Sequence, residues 1–113
     1  MEFELTPIDE SCTLVRLNGR LDSAGVDRIE TRVTAGMVAG GRHAVVDLSG
    51  VDFLASMGIR MLIANARAIH LKGRKMAVFG ATGAVAGVLE SVALDQLMPV
   101  VADQQAALQA VAA

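Results

Sequence analysis

Two short runs of uninterrupted apolar residues, Ala44–Val45–Val46 within His43–Leu48 and Met76–Phe79 within Lys75–Phe79, bracket a segment whose apolar positions fall at 59, 62, 63, 66 and 69. Contiguous apolar residues suit strands buried on both faces. The spacing between them lines one face of an α-helix. That helix is expected over Ser56–Leu71, entered through a polar turn after Leu48 and stopped at Gly73, with Arg67, His70 and Lys72 near its negative end. Strand, helix and strand in this order make a parallel unit with a right-handed crossover, and the rest of the chain must be added to it.

Upstream, Phe3–Ile8 alternates apolar and polar residues and contains Pro7, which has no amide to give to a ladder, so it reads as an edge strand or a strand end. Asp9–Glu10–Ser11 is a polar turn, and Cys12–Leu17 returns as the second arm of an antiparallel hairpin. Asn18–Ser23 is the next boundary. Asp22 and Ser23 are good helix caps, and Val26, Ile29, Val33 and Met37 recur at helical spacing up to Gly40–Gly41. Downstream, Gly80–Gly83 turns the chain into a shorter helix bearing Val85, Val88, Leu89 and Val92. Met98–Val101 reads as a last short strand, and Asp103 caps a terminal helix. The architecture is α/β: one domain over residues 1–113, with a mixed sheet of four to five strands and helices packed mainly on one face.

Composition narrows the function. Hydrophobic residues make up 53% of the chain, enough for a sizeable core, but there are only three Phe and no Tyr or Trp. Platforms for stacking bases or sugars need aromatic faces. The net charge is −2 with both signs interspersed, so no basic footprint for nucleic acid is expected. The single Cys12 excludes an internal disulfide, fits a reducing compartment and reads as a small buried hydrophobe. No apolar run reaches the ~20 residues of a membrane helix, and the acidic start is not a signal peptide, so a soluble, cytoplasmic protein is expected.

Chemistry concentrates where the Ser56–Leu71 helix begins. The first amides of a helix lack partners within it and favour negative charge, so Ser56 is placed either to cap the helix or to carry a phosphate. Position alone does not separate the two. Met57 is expected to project from the first turn. Gly58 gives room for close approach by a neighbouring strand or a partner. Asp22 is expected to cap its own helix, and Arg60 to lie exposed where it meets an anion or solvent. Asp47 and Asp52 read as solvated strand-end acids, and His43 and His70 as structural or solvated. None has the spacing of a metal site, and Gly80–Gly83 lacks the Lys-Ser/Thr ending of a phosphate-binding loop. No catalytic residue, metal or cofactor is assigned, and the enzyme reading, a small phosphotransfer or nucleotide-hydrolysing protein, lacks a credible centre.

Gly19–Arg20–Leu21–Asp22, followed by Val46–Asp47–Leu48–Ser49–Gly50–Val51–Asp52–Phe53–Leu54–Ala55–Ser56–Met57–Gly58–Ile59, resembles the STAS domain, and within it the small bacterial anti-sigma-factor antagonists. The resemblance runs along essentially the whole chain. It implies a phosphoprotein of signal transduction and transcription regulation that works by partner switching. The unmodified form binds an anti-sigma-factor serine kinase of the histidine-kinase-like ATPase fold and frees a sigma factor. Phosphorylation of Ser56 abolishes that binding, and a phosphatase resets it. The implied partner surface comprises Asp22, Leu54, Ala55, Ser56, Met57, Gly58 and Arg60. Two positions depart from the common pattern, Ala55 where many members have Asp and Met57 where Ser or Thr is frequent. The alternative is a constitutive STAS subunit of a larger assembly, such as a lipid ABC transporter or a signalling scaffold, with no phospho-switch.

Overall fold

Pro7 ends the first strand at the open edge of a five-stranded sheet. The structure, a computed structural model, describes residues 1–113. The elements run β1 (Glu2–Pro7), β2 (Cys12–Leu21), α1 (Ser23–Val38), β3 (His43–Leu54), α2 (Ser56–Leu71), β4 (Met76–Phe79), α3 (Gly83–Ser91), a 3-10 turn at Leu94–Gln96, β5 (Val100–Val101) and α4 (Gln104–Ala112). Strand order in space equals strand order in sequence. β1 is antiparallel to β2, and every later pairing is parallel.

The alternation along the strands divides the core between the two faces of the sheet. Val15, Leu17, Val46, Leu48 and Val78 join a cluster of 22 buried residues that includes Val26, Ile29, Leu62, Ile69 and Leu89 from α1, α2 and α3. Leu14, Val45, Ala77 and Phe79 point the other way and meet only Ala107 and Val111 of α4 among buried helical residues, in a cluster of 7 with Cys12. The first face is therefore the principal core, and α4 lids part of the second. At about 25 cal/mol per Å² of apolar surface removed from water, burial of this kind is the main favourable contribution to folding.

Two expectations about strand length need correction. β2 continues through Asn18–Gly19–Arg20 to Leu21, and β3 continues through Ser49–Gly50 to Leu54. The register shows why. Arg16 faces Asp47 but Asn18 faces Gly50, and Gly19 faces Val51 but Arg20 faces Phe53, so β3 carries one extra residue at each of two bulges. Its core-facing residues after Leu48 are Val51 and Leu54, three apart instead of two. A period of three hides a strand from a reading that looks for alternation. β4 pairs only with Ala44–Asp47, so the second half of β3 projects past it with β2 as its one neighbour.

Asp47 also departs from expectation. It is buried, its Oδ1 accepts from the Ser49 amide at 2.9 Å and its Oδ2 from Arg16 Nε at 3.3 Å. His43 is structural, its Nδ1 accepting from the Lys75 amide at 2.9 Å. At the end of β4 the turn runs through Gly80 at φ +80°, a conformation other residues rarely adopt. No helix is long and apolar enough to cross a membrane.

Candidate functional site

The loops that follow β2 and β3 lie side by side, because these strands pair in register up to Leu21 and Leu54. After β2, Asp22 takes extended backbone and its Oδ1 accepts from the Gly25 amide at 2.8 Å, the expected cap of α1. That amide, and then the Arg20 guanidinium 3.4 Å from Oδ2, hold the Asp22 carboxyl below the usual carboxylate range. Arg20 also lies over the ring of Phe53, 4.1 Å from its centroid. Phe53 is 39% exposed, an unusual setting for one of only three aromatic side chains in the chain.

After β3 the residue that caps α2 is Ala55, not Ser56, and no side chain caps this helix. The Ala55 amide donates to the Leu21 carbonyl at 3.1 Å, and its carbonyl accepts from Gly58 and Ile59 at 2.9 and 3.2 Å. Ser56 is thus the first residue inside the helix and is exposed. The capping role open to it in the sequence falls away, because a capping side chain must hang from the residue before the first helical one. The amides of Ser56 and Met57 have no acceptor within the helix, so the start of α2 remains favourable to negative charge.

The other residues assigned to the partner surface separate into two groups. Ser56 and Arg60 are exposed, and Asp22 and Ala55 are half-buried. Leu54 and Gly58 are buried and pack on each other: a Cβ on Gly58 would lie 2.7 Å from Leu54 Cδ1 and 2.8 Å from both Leu21 Cγ and the Leu21 carbonyl oxygen. Gly58 therefore serves the close approach of α2 to β2. Met57, expected to project, is half-buried and packs against the principal core. Its apolar side chain finds contacts under the first turn that solvent would not provide. These three residues shape the loop from beneath and leave its outer surface to their neighbours.

Arg60 donates from Nη2 to Glu30 Oε1 at 2.8 Å, tying α2 to α1. Ser56, Arg60 and Arg67 also line one depression of about 330 Å³ along the outer side of α2. Arg20 and Phe53 belong to the same end of the molecule and fall within the expected contact surface, the Gly19–Asp22 loop and the Phe53–Gly58 turn, although neither is one of the individual site residues expected there. The signal that singles them out is their type, an arginine and an aromatic within the two motif stretches. Nowhere does the chain gather three or more His, Cys, Asp or Glu residues that could hold a metal. Chemically the site offers an uncommitted hydroxyl on an anion-tolerant helix start, within a surface of mixed charge and one aromatic ring.

The family model described as the STAS domain matches residues 5–107. Among curated proteins none matches the sequence. Among solved structures, an anti-sigma factor antagonist from Mycobacterium paratuberculosis is similar at 25% identity and a TM-score of 0.88, covering 99% of this chain and 94% of its own. An anti-sigma-factor antagonist (STAS) domain protein from Planctomyces limnophilus has 24% identity and a TM-score of 0.82, with 98% of each chain covered. The Bacillus cell fate determinant SpoIIAA in its phosphorylated form has 17% identity and a TM-score of 0.70, covering 96% of this chain and 97% of its own.

Proposed function

The chain belongs to the STAS domain family, and from that premise we propose that it is an anti-sigma-factor antagonist, a regulatory binding protein that switches partners on phosphorylation of Ser56. The single observation that carries the reading is the state of Ser56: exposed, on the first turn of α2, and not engaged in capping it. A serine kinase would reach it without unfolding anything. It would transfer the terminal phosphoryl group of ATP to Oγ, take up the hydroxyl proton and release ADP.

The switch then follows from charge. A phosphate adds about −1.5 to −2 units at pH 7. The unpartnered amides of α2 face it, and Arg60 stands one turn further along the same side, so the added charge is tolerated by the fold. Under a docked partner the same group must shed water and meet the partner's acids. A loss of about 3 kcal/mol there weakens binding roughly 100-fold. The surface that would hold the partner is Ser56, Asp22, Arg60, Arg20 and the exposed ring of Phe53, a pairing of arginine and aromatic typical of interface anchors. Leu54, Gly58 and Met57 act from below by fixing the loop, and the domain comprises residues 1–113.

Incubation with an anti-sigma serine kinase of the same genome and ATP, followed by intact mass measurement, tests the proposal. A single added phosphate that disappears in Ser56→Ala, together with loss of kinase binding in the modified form, is the expected result. Tight binding that persists without modification, to a kinase shown to phosphorylate another substrate, would replace the switch with a constitutive interaction subunit.

A further inference from the structure

We propose that the cleft at the far end of α2 is a binding site for an amphiphilic anion, an acyl chain ending in a carboxylate. It does not rest on the reading of Ser56. The cleft lies between the last two turns of α2, the start of β4 and the Leu97–Pro99 segment, and encloses about 500 Å³. That volume falls within the range of small-molecule sites, about 300–1,000 Å³. His70 is fourteen residues past Ser56, about 21 Å along the helix at 1.5 Å per residue.

Two independent observations give the ligand its two halves. The first is charge: Arg67, His70, Arg74 and Lys75 line the cleft, and no Asp or Glu does. Lys75 is engaged through Nζ with the Ala113 oxygen, and Arg74 gives only its Nε to the Gly41 carbonyl, at 2.8 Å, leaving its terminal nitrogens. Arg67 and the His70 ring stand exposed on α2, three residues apart on one face. Together with the Arg74 fork they bring several donors to one cleft, the chemistry that a carboxylate accepts.

The second observation is the apolar wall. Met76 and Met98, 3% and 5% exposed, close the floor, and Met side chains adapt to varied apolar shapes. On the rim stand Leu71 and Leu97, 86% and 58% exposed, two of the four large hydrophobic side chains that the fold leaves in solvent. An inorganic anion would leave this wall wet, and a neutral lipid would leave the cations unmatched. A ligand with a chain and a charged end uses both.

The test is a titration with dodecanoate below its micelle concentration, followed through the methionine methyl resonances of isotope-labelled protein. The methyls of Met76 and Met98 should shift saturably while that of Met57, at the other end of α2, stays in place. Dodecanol and acetate should bind at least roughly tenfold more weakly. Arg67→Gln and Leu97→Ser, both changes at exposed positions, should each weaken dodecanoate several-fold while the far-ultraviolet circular dichroism stays unchanged. The absence of a saturable shift would overturn the proposal. So would equal binding of dodecanol, unaltered affinity in both variants, or an acidic helical peptide that shifts these methyls where dodecanoate does not. Kinase binding measured in parallel on Leu97→Ser, a position outside the depression that Arg67 shares with Ser56, should be unchanged, which separates this site from the one at Ser56.

Discussion

The amide of Ala55 is hydrogen-bonded to the carbonyl of Leu21 at 3.1 Å, so the last residue before α2 hangs from the last residue of β2. One bond thereby joins the two loops that carry Asp22 and Ser56. Neither loop can shift far without the other, and the helix start is held against the sheet by backbone.

That junction predicts the behaviour of Gly58. In Gly58→Ala the new methyl meets the Leu21 carbonyl oxygen at 2.8 Å, an atom fixed by the same bond, as well as two leucine side chains. Overpacking of this kind costs about 1–3 kcal/mol. Urea unfolding should show a loss in that range, and a variant as stable as the parent would mean that α2 sits farther from β2 than described.

Ser56 makes the opposite prediction. Because it does not cap α2, Ser56→Ala should change stability by less than about 0.5 kcal/mol, the usual range for a surface position, where loss of a cap would cost about 1 kcal/mol. Ser56→Asp should also fold, its charge meeting the free amides of the first turn. Partner binding should survive the first change and fall roughly 100-fold in the second, by the same charge argument as for phosphate. Calorimetry on both variants with the kinase reads the difference directly.

Asp47 should govern part of the acid limb of stability. Burial opposes its charge, but the hydroxyl and amide of Ser49 and the Arg16 guanidinium outweigh it and hold the carboxyl below its usual pKa. A group whose pKa is lower folded than unfolded stabilises the fold fully above the unfolded value, about 3.9, and loses that contribution as pH falls through the folded value. The stability gap between the parent and Asp47→Asn should therefore be widest near neutral pH and shrink below about pH 4. A gap independent of pH would assign the role of Asp47 to shape instead of charge.

Asn65 is the one buried side chain with an unanswered polar atom. Its Nδ2 donates to the Met61 carbonyl at 2.9 Å, while Oδ1 has no partner. Burying an unsatisfied acceptor costs about 1–3 kcal/mol. Asn65→Leu, which keeps the branching of the side chain and removes both polar atoms, should match or exceed the parent in thermal stability, and a clear drop in the melting temperature would show that the amide has a role the fold requires.

Much of this molecule could be read from its residues. The edge strand ending near Pro7, the hairpin, the Asp22 cap and the parallel unit on either side of α2 follow from periodicities of two and 3.6 with few interruptions. What stayed hidden has physical causes. The bulges put Leu48, Val51 and Leu54 three apart, so half of β3 looked like a turn. Met57 looked exposed because its position counts from the helix start, whereas its burial depends on the core beneath. Asp47 looked solvated because its partner Arg16 is thirty-one residues away in sequence. Asn65 fits the helical pattern without marking itself as buried, and its orphaned oxygen belongs to tertiary packing alone.

The overhang of β3 beyond β4 gives the molecule an uneven resistance to solvent. Residues 44–47 are clasped from both sides, whereas residues 49–53 rely on a single neighbouring strand. Their amides should exchange hydrogen for deuterium earlier than those of the central strands, because opening there breaks fewer bonds. The ribbon leads directly into Ser56, so an arriving protein that covers the serine would slow that exchange, making occupancy of the loop visible in the backbone that supports it.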